Sequence, residues 1–96
     1  MPRLFVYGTL RRGESAARLM AGAEFIGEAS LRASLAQHGK YTGLRPGDSE
    51  IRGELFRVPD HLFAKLDNYE GPDYARRLSE VECAGEKVAA WVYWLV

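Results

Sequence analysis

The C-terminal stretch 77–96, RLSEVECAGEKVAAWVYWLV, contains two strand-like runs, Arg77–Cys83 and Val88–Val96, and the second run is rich in β-branched and aromatic residues. Residues of these types favour β-strands. Between the runs lies a polar link of hairpin length, Ala84-Gly85-Glu86-Lys87. The stretch therefore predicts an antiparallel β-hairpin.

Upstream of this hairpin, the pattern changes from strand to helix and back. The run Ile51–Val58 has strand character and ends at Pro59. We expect Asp60 to cap a helix that follows and Gly71-Pro72 to end it.

The N-terminal half begins with a short buried strand, Arg3–Tyr7, which breaks at Gly8. Helical composition over Ser15–Met20 predicts one short helix, with Ser15 as its N-cap and Gly22 as its stop. Apolar and polar residues then alternate over Ala29–Leu35, which predicts a strand with one face inward.

The stretch Gln37–Glu50 is rich in glycine and polar residues and is predicted to be the longest irregular segment, a natural loop over a site. Tyr41 lies between two glycines within it. Five or so strands with short connections and two short helices predict an α+β fold, a small, mostly antiparallel, β-barrel-like sheet.

Length and composition limit the function classes. Ninety-six residues suit one domain, 1–96, and 47% hydrophobic residues suffice for its core. The formal net charge of zero argues against a nucleic-acid partner. No apolar run reaches the roughly 20 residues of a membrane span, and no signal-peptide pattern precedes the first strand, so we expect a soluble, unprocessed protein. A single cysteine fits a reducing, cytoplasmic location, and no Cys/His group has metal-ligand spacing.

The first candidate for chemistry is Glu70, which lies at helical spacing from Phe63 and Leu66 and so shares their buried face. A carboxyl drawn into apolar surroundings has a raised pKa and suits a general base. The alternative is that the helix end frays, so that Glu70 turns to solvent or pairs with Arg76 or Arg77.

The second candidate is the turn Tyr7-Gly8-Thr9-Leu10. Backbone N–H groups after a strand end lack sheet partners and can hold a carboxylate or an oxyanion, and Thr9 adds a hydroxyl. A strand followed by an ordinary glycine turn is the alternative. Arg11 and Arg12 lie beside the turn. They could attract a carboxylate, or they could be solvated surface charges.

Four fragments in register resemble the γ-glutamylcyclotransferase-like family, particularly its small γ-glutamylamine cyclotransferase and AIG2-like branch. They run in order over nearly the whole chain: Leu4–Gly13 (LFVYGTLRRG), Gly53–Phe56 (GELF), Leu66–Gly71 (LDNYEG) followed by Tyr74–Arg77 (YARR), and Ala90–Tyr93 (AWVY).

The resemblance implies a small barrel-like fold whose cavity binds a γ-glutamyl group and closes it into 5-oxoproline, releasing the attached amine or amino acid. It implies no cofactor and no metal. Substrate binding is then expected at Tyr7, Gly8, Thr9 and Leu10, and proton transfer at Glu70. Tyr74 follows Glu70 as an aromatic residue does in relatives, which fits either substrate orientation or simple packing.

Two features depart from the family pattern. Gly39–Gly43 lacks the proline of the Gly-Tyr-Pro-Gly-like loop that many members have. The chain also ends on its last strand, whereas members acting on glutathione-type or γ-glutamyl-amino-acid substrates often extend further. The missing proline leaves that wall of the pocket less defined, and the missing segment leaves the identity of the substrate open.

Three functions are therefore considered. The first is a cofactor-free cyclotransferase acting on a small γ-glutamyl substrate, as a monomer or weak homodimer without nucleic-acid or membrane partners. The second is a non-catalytic domain that binds a γ-glutamyl ligand, or a protein through its arginine-rich surface. The third is acyl transfer on a γ-glutamylated intermediate, which the same residues would support.

Overall fold

The computed structural model describes residues 1–96 and contains five strands and one α-helix. The strands are β1 (Arg3–Val6), β2 (Glu24–His38), β3 (Tyr41–Arg57), β4 (Tyr74–Cys83) and β5 (Glu86–Leu95). Helix α1 spans Phe63–Glu70, and two short 3-10 segments span Ala17–Met20 and Asp60–Leu62.

The strands form one sheet that closes on itself in the order β1-β3-β2-β4-β5, with β5 returning to β1. Every pairing is antiparallel except the contact of β1 with β5, where Leu4 pairs with Trp91. The expected α+β class and mostly antiparallel sheet are confirmed.

Alternation along the strands produces two hydrophobic clusters. One is formed by strand residues alone, from all five strands, and fills the interior of the ring; Phe5, Leu55 and Val92 belong to it. The other lies on the outer face, where Leu4 and Phe56 pack against Leu66 of α1 and its neighbours. Successive residues of a strand, such as Leu4 and Phe5, therefore belong to different clusters, because side chains along a strand alternate between its two faces.

The predicted loop over Gln37–Glu50 is wrong, because most of this stretch belongs to the long hairpin β2–β3. Two of its three glycines allow close contacts. A Cβ on Gly43 would lie 2.3 Å from Leu95, and one on Gly47 would lie 2.5 Å from Ser34. Gly47 lies at an irregularity in the pairing register, a usual place for glycine in strands.

The helix caps are also corrected. Ser15 does not cap a helix, since the expected Ser15–Met20 helix is a 3-10 segment beginning at Ala17 without a side-chain cap. Asp60 lies inside a 3-10 turn that leads into α1 and makes no capping hydrogen bond. Such 3-10 turns are frequent as connectors and at the ends of α-helices.

The C-terminal hairpin is confirmed, with a tighter turn than expected. Strands β4 and β5 are joined by Ala84-Gly85 alone, with φ angles of 53° and 79°. Positive φ at both central residues is the geometry of a type I′ turn, which matches the twist of the strands.

Candidate functional site

A cavity of about 180 Å³ lies where β1 ends, beside the C-terminal end of α1. The tip of the β2–β3 hairpin and the start of β4 complete its wall. This volume is below the roughly 300–1,000 Å³ of sites for drug-sized ligands, so it suits a small substrate group. All six residues singled out from the sequence line it: Tyr7, Gly8, Thr9, Leu10, Glu70 and Tyr74.

Glu70 reaches the cavity because it is the last residue of α1, one turn beyond the buried Leu66. Gly71, with φ of 85°, ends the helix directly after it. The alternative pairing with Arg76 or Arg77 does not occur, and Glu70 forms no ion pair. Burial, followed by the negative charge of Asp67, raises the pKa of Glu70 to about 7. The carboxyl is therefore partly protonated at neutral pH.

Arg76 pairs with Asp67 and not with Glu70. The two carboxylate oxygens of Asp67 accept hydrogen bonds from Nε and Nη2 of Arg76 at 2.9 and 3.1 Å. The hydroxyl of Tyr93 donates to the same carboxylate at 2.6 Å. The hydrogen bond from Arg76 is the main reason that the pKa of Asp67 lies below its usual range. This network fixes α1 against β4 and β5, and with it the position of Glu70.

The turn after β1 presents unused backbone donors. The N–H groups of Gly8, Thr9 and Leu10 take part in no backbone hydrogen bond, whereas the carbonyl of Gly8 accepts the N–H of Arg11 at 3.1 Å. A side chain on Gly8 would meet nothing within 4 Å. Consecutive free N–H groups of this kind are the donors from which anion-binding concavities are built.

All five tyrosines of the chain line the cavity, and sequence reasoning had selected only Tyr7 and Tyr74 for this site. Tyr7 donates to the carbonyl of Tyr93 at 3.0 Å, and Tyr74 donates to the carbonyl of Thr42 at 3.2 Å. Tyr69 and Thr9 share a hydrogen bond of 2.6 Å between their hydroxyls. Tyr41 extends from the hairpin tip; its position between glycines in a stretch expected over a site was the available signal.

The hydroxyls of Tyr7 and Tyr74 stay neutral at physiological pH. Burial first, and then the charge of Glu70, raises the pKa of Tyr7 and of Tyr74. No lysine or arginine lines the cavity, and Arg12 instead pairs with Glu54. Among the residues lining the cavity, Glu70 is thus the sole Asp, Glu, Lys, Arg or His. Its raised pKa makes it the candidate for proton transfer.

No group of three or more His, Cys, Asp or Glu side chains is arranged to hold a metal ion. None of the helices has the length and apolar character needed to span a bilayer.

Comparison with known proteins shows that this chain is similar to an enzyme family. The model of the family "Gamma-glutamyl cyclotransferase, AIG2-like" matches residues 4–96. The γ-glutamylcyclotransferase family protein YtfP of Escherichia coli K12 is 33% identical over 94 residues, covering 95% of this chain and 80% of that protein.

Two other similarities extend this result. The γ-L-glutamyl-butirosin B γ-glutamyl cyclotransferase of Niallia circulans is 35% identical over 103 residues, covering 97% of this chain and 66% of that protein. The crystal structure of an AIG2-like protein from Mus musculus superposes with a TM-score of 0.89 at 27% identity, covering 100% of this chain and 78% of that one. The chain therefore belongs to the AIG2-like γ-glutamylcyclotransferase family and is an enzyme of the cyclotransferase type.

Proposed function

We propose that the protein converts a γ-glutamyl amine or γ-glutamyl amino acid to 5-oxoproline and releases the amine. One observation carries the proposal: the unpaired carboxyl of Glu70, with a pKa of about 7, shares a small cavity with the free N–H groups of Gly8–Leu10. The cavity therefore combines a proton-transfer group with an anion anchor.

The proposed reaction uses Glu70 twice. Its carboxylate takes a proton from the α-amine of the substrate as the amine nitrogen attacks the γ-carbonyl carbon. A new C–N bond closes the five-membered ring, and the protonated Glu70 then gives its proton to the leaving nitrogen as the old C–N bond breaks. A pKa near neutrality suits both steps, since neither protonation state is costly to reach.

The turn supplies orientation in this scheme. The N–H groups of Gly8, Thr9 and Leu10 bind the α-carboxylate of the substrate, and the rings of Tyr7 and Tyr74 enclose its carbon chain. Because nucleophile and electrophile belong to one molecule, correct folding of that molecule is the main requirement. Good orientation lowers such barriers by about 7–11 kcal/mol.

The name of one relative supports a γ-glutamyl compound as the substrate. The name of the Niallia circulans protein gives a γ-L-glutamyl derivative of butirosin B as its substrate. In our proposal the leaving group lies toward Tyr41 and Tyr69, the two cavity residues with the most exposed rings, at 54% and 40%. The neutral net charge supports small molecules, not nucleic acids, as partners.

The test measures 5-oxoproline release from a panel of γ-glutamyl amines, γ-glutamyl amino acids and glutathione. Native protein and Glu70→Gln are compared under identical conditions, with circular dichroism as the check on folding. Turnover by native protein that is lost in the folded variant supports the proposal and identifies the leaving group. Tight binding of 5-oxoproline without any turnover would instead support a binding domain.

A further inference from the structure

A carboxylate outside the cavity contacts the turn that follows β1. Oε1 of Glu54 accepts the backbone N–H of Arg12 at 2.8 Å, and its Oε2 accepts Nε of the same arginine at 3.3 Å. The Glu54 side chain is only 12% exposed, whereas the Arg12 side chain is 55% exposed, so the carboxylate is buried while its partner faces water. The guanidinium of Arg12 also lies 3.4 Å from the centre of the Phe25 ring. Both ends of Arg12, main chain and side chain, are therefore held by the sheet.

Glu54 is well placed to fix the turn because it belongs to the sheet itself. It lies on β3 and pairs with Val6, the last residue of β1, and with Glu28 of β2. The turn begins two residues beyond Val6. Its other hydrogen bonds are mostly local, such as those joining Arg11 to Gly8 and Ala16 to Thr9. The Glu54 contact thus ties the far end of the turn to a strand that is paired on both sides.

We propose that Glu54 is a positioning residue that holds the turn Gly8–Arg12 so that its free N–H groups face the substrate carboxylate. This inference rests on the proposed function. Glu54 does not touch the cavity, so it acts through the backbone of Arg12. It also engages the Arg12 guanidinium, which removes that cation as a direct partner of the substrate and leaves recognition to backbone amides.

A purely structural clamp would give a different result from a positioning residue. Loss of a structural clamp lowers stability and leaves the substrate affinity of the folded protein unchanged. Loss of a positioning residue loosens the turn and raises KM, while kcat changes little, because the carboxylate anchor binds substrate and transition state alike.

The experiment compares native protein with Glu54→Ala, Glu54→Gln and the control Glu28→Ala. Glu28 is exposed and lies directly opposite Glu54 on β2. The first readout is backbone ¹⁵N relaxation of Gly8, Thr9 and Leu10, which needs no substrate. The second is KM for the best γ-glutamyl substrate, or the Kd of 5-oxoproline if no substrate is turned over.

We expect Glu54→Ala to increase the mobility of the turn and to raise KM or Kd about tenfold, the loss of one charge-assisted hydrogen bond. Glu54→Gln keeps an oxygen that accepts the Arg12 N–H and should raise KM or Kd about threefold; Glu28→Ala should change neither readout. An ordered turn and unchanged KM or Kd in folded Glu54→Ala would overturn the inference. If Glu54→Ala does not fold, Glu54→Gln decides, and a KM or Kd equal to native overturns it. Absence of turnover in native protein counts against the proposed function alone.

Discussion

Replacing Glu70 with glutamine should stabilise the protein at pH 8 and have little effect at pH 5. In the folded protein, burial raises the pKa of Glu70 from 4.5 to about 7. Between these two values the folded state keeps a proton that the unfolded chain has lost, so stability falls as pH rises through this window. Glutamine carries no such proton and removes the fall.

The size of the effect follows from the two pKa values. One unit of pKa corresponds to about 1.36 kcal/mol, so the full interval is worth about 3 kcal/mol. Because Glu70 is only half-buried, water reduces this penalty, and we expect about 2 kcal/mol at pH 8. The penalty is nearly absent close to pH 4.5, where the unfolded chain also holds the proton.

Urea unfolding of native protein and Glu70→Gln at pH 5, 6, 7 and 8 measures the effect. The difference in the free energy of unfolding should grow from near zero to about 2 kcal/mol in favour of the variant. Glu28→Gln, which removes an exposed carboxylate, is the control. Its free energy of unfolding should change with pH in the same way as that of native protein. Parallel curves for Glu70→Gln as well would refute the claim that Glu70 is desolvated.

Three further predictions concern the framework of the site, each measured by urea unfolding at pH 7. Arg76→Ala should cost about 1–2 kcal/mol, because it removes the paired hydrogen bonds to Asp67; unchanged stability would contradict this role. Gly53→Ala should cost about 1–3 kcal/mol, since its Cβ would lie 2.2 Å from the carbonyl oxygen of Val6; a neutral result would show that the strands separate easily. Ala84→Gly should gain about 1 kcal/mol by relieving a positive φ; a loss would contradict the turn geometry.

The local sequence pattern was sufficient to predict the features that depend on residues close together in the chain. Spacings of three and four residues placed Glu70 beside Phe63 and Leu66 on one helix face, and a glycine-proline pair marked the end of that helix. The C-terminal hairpin followed from two strand-like runs around a short polar link. The free N–H groups of the Gly8 turn followed from a strand broken by glycine.

Apart from the helix caps, the errors arose from long-range contacts. Gly43 reads as a loop residue in sequence, but its role is to admit Leu95, which lies 52 positions further along the chain. Arg76 is a possible partner of Glu70 by sequence, but in the structure helix α1 places Asp67, and not Glu70, within hydrogen-bond distance of Arg76. Tyr41 and Tyr69 join the cavity only after the ring closes. The glycines around Tyr41 were a local signal for this position, whereas the local sequence of Tyr69 contains none.

The pH dependence of 5-oxoproline formation tests most directly the claim that Glu70 transfers the proton. For native protein, kcat/KM should fall on the acid side with a midpoint near pH 7, the pKa of the Glu70 carboxyl. Glu70→Gln should lose at least about a hundredfold in kcat, the usual contribution of a general base. A native profile that is flat between pH 6 and 8, together with a variant that retains its rate, would contradict the account.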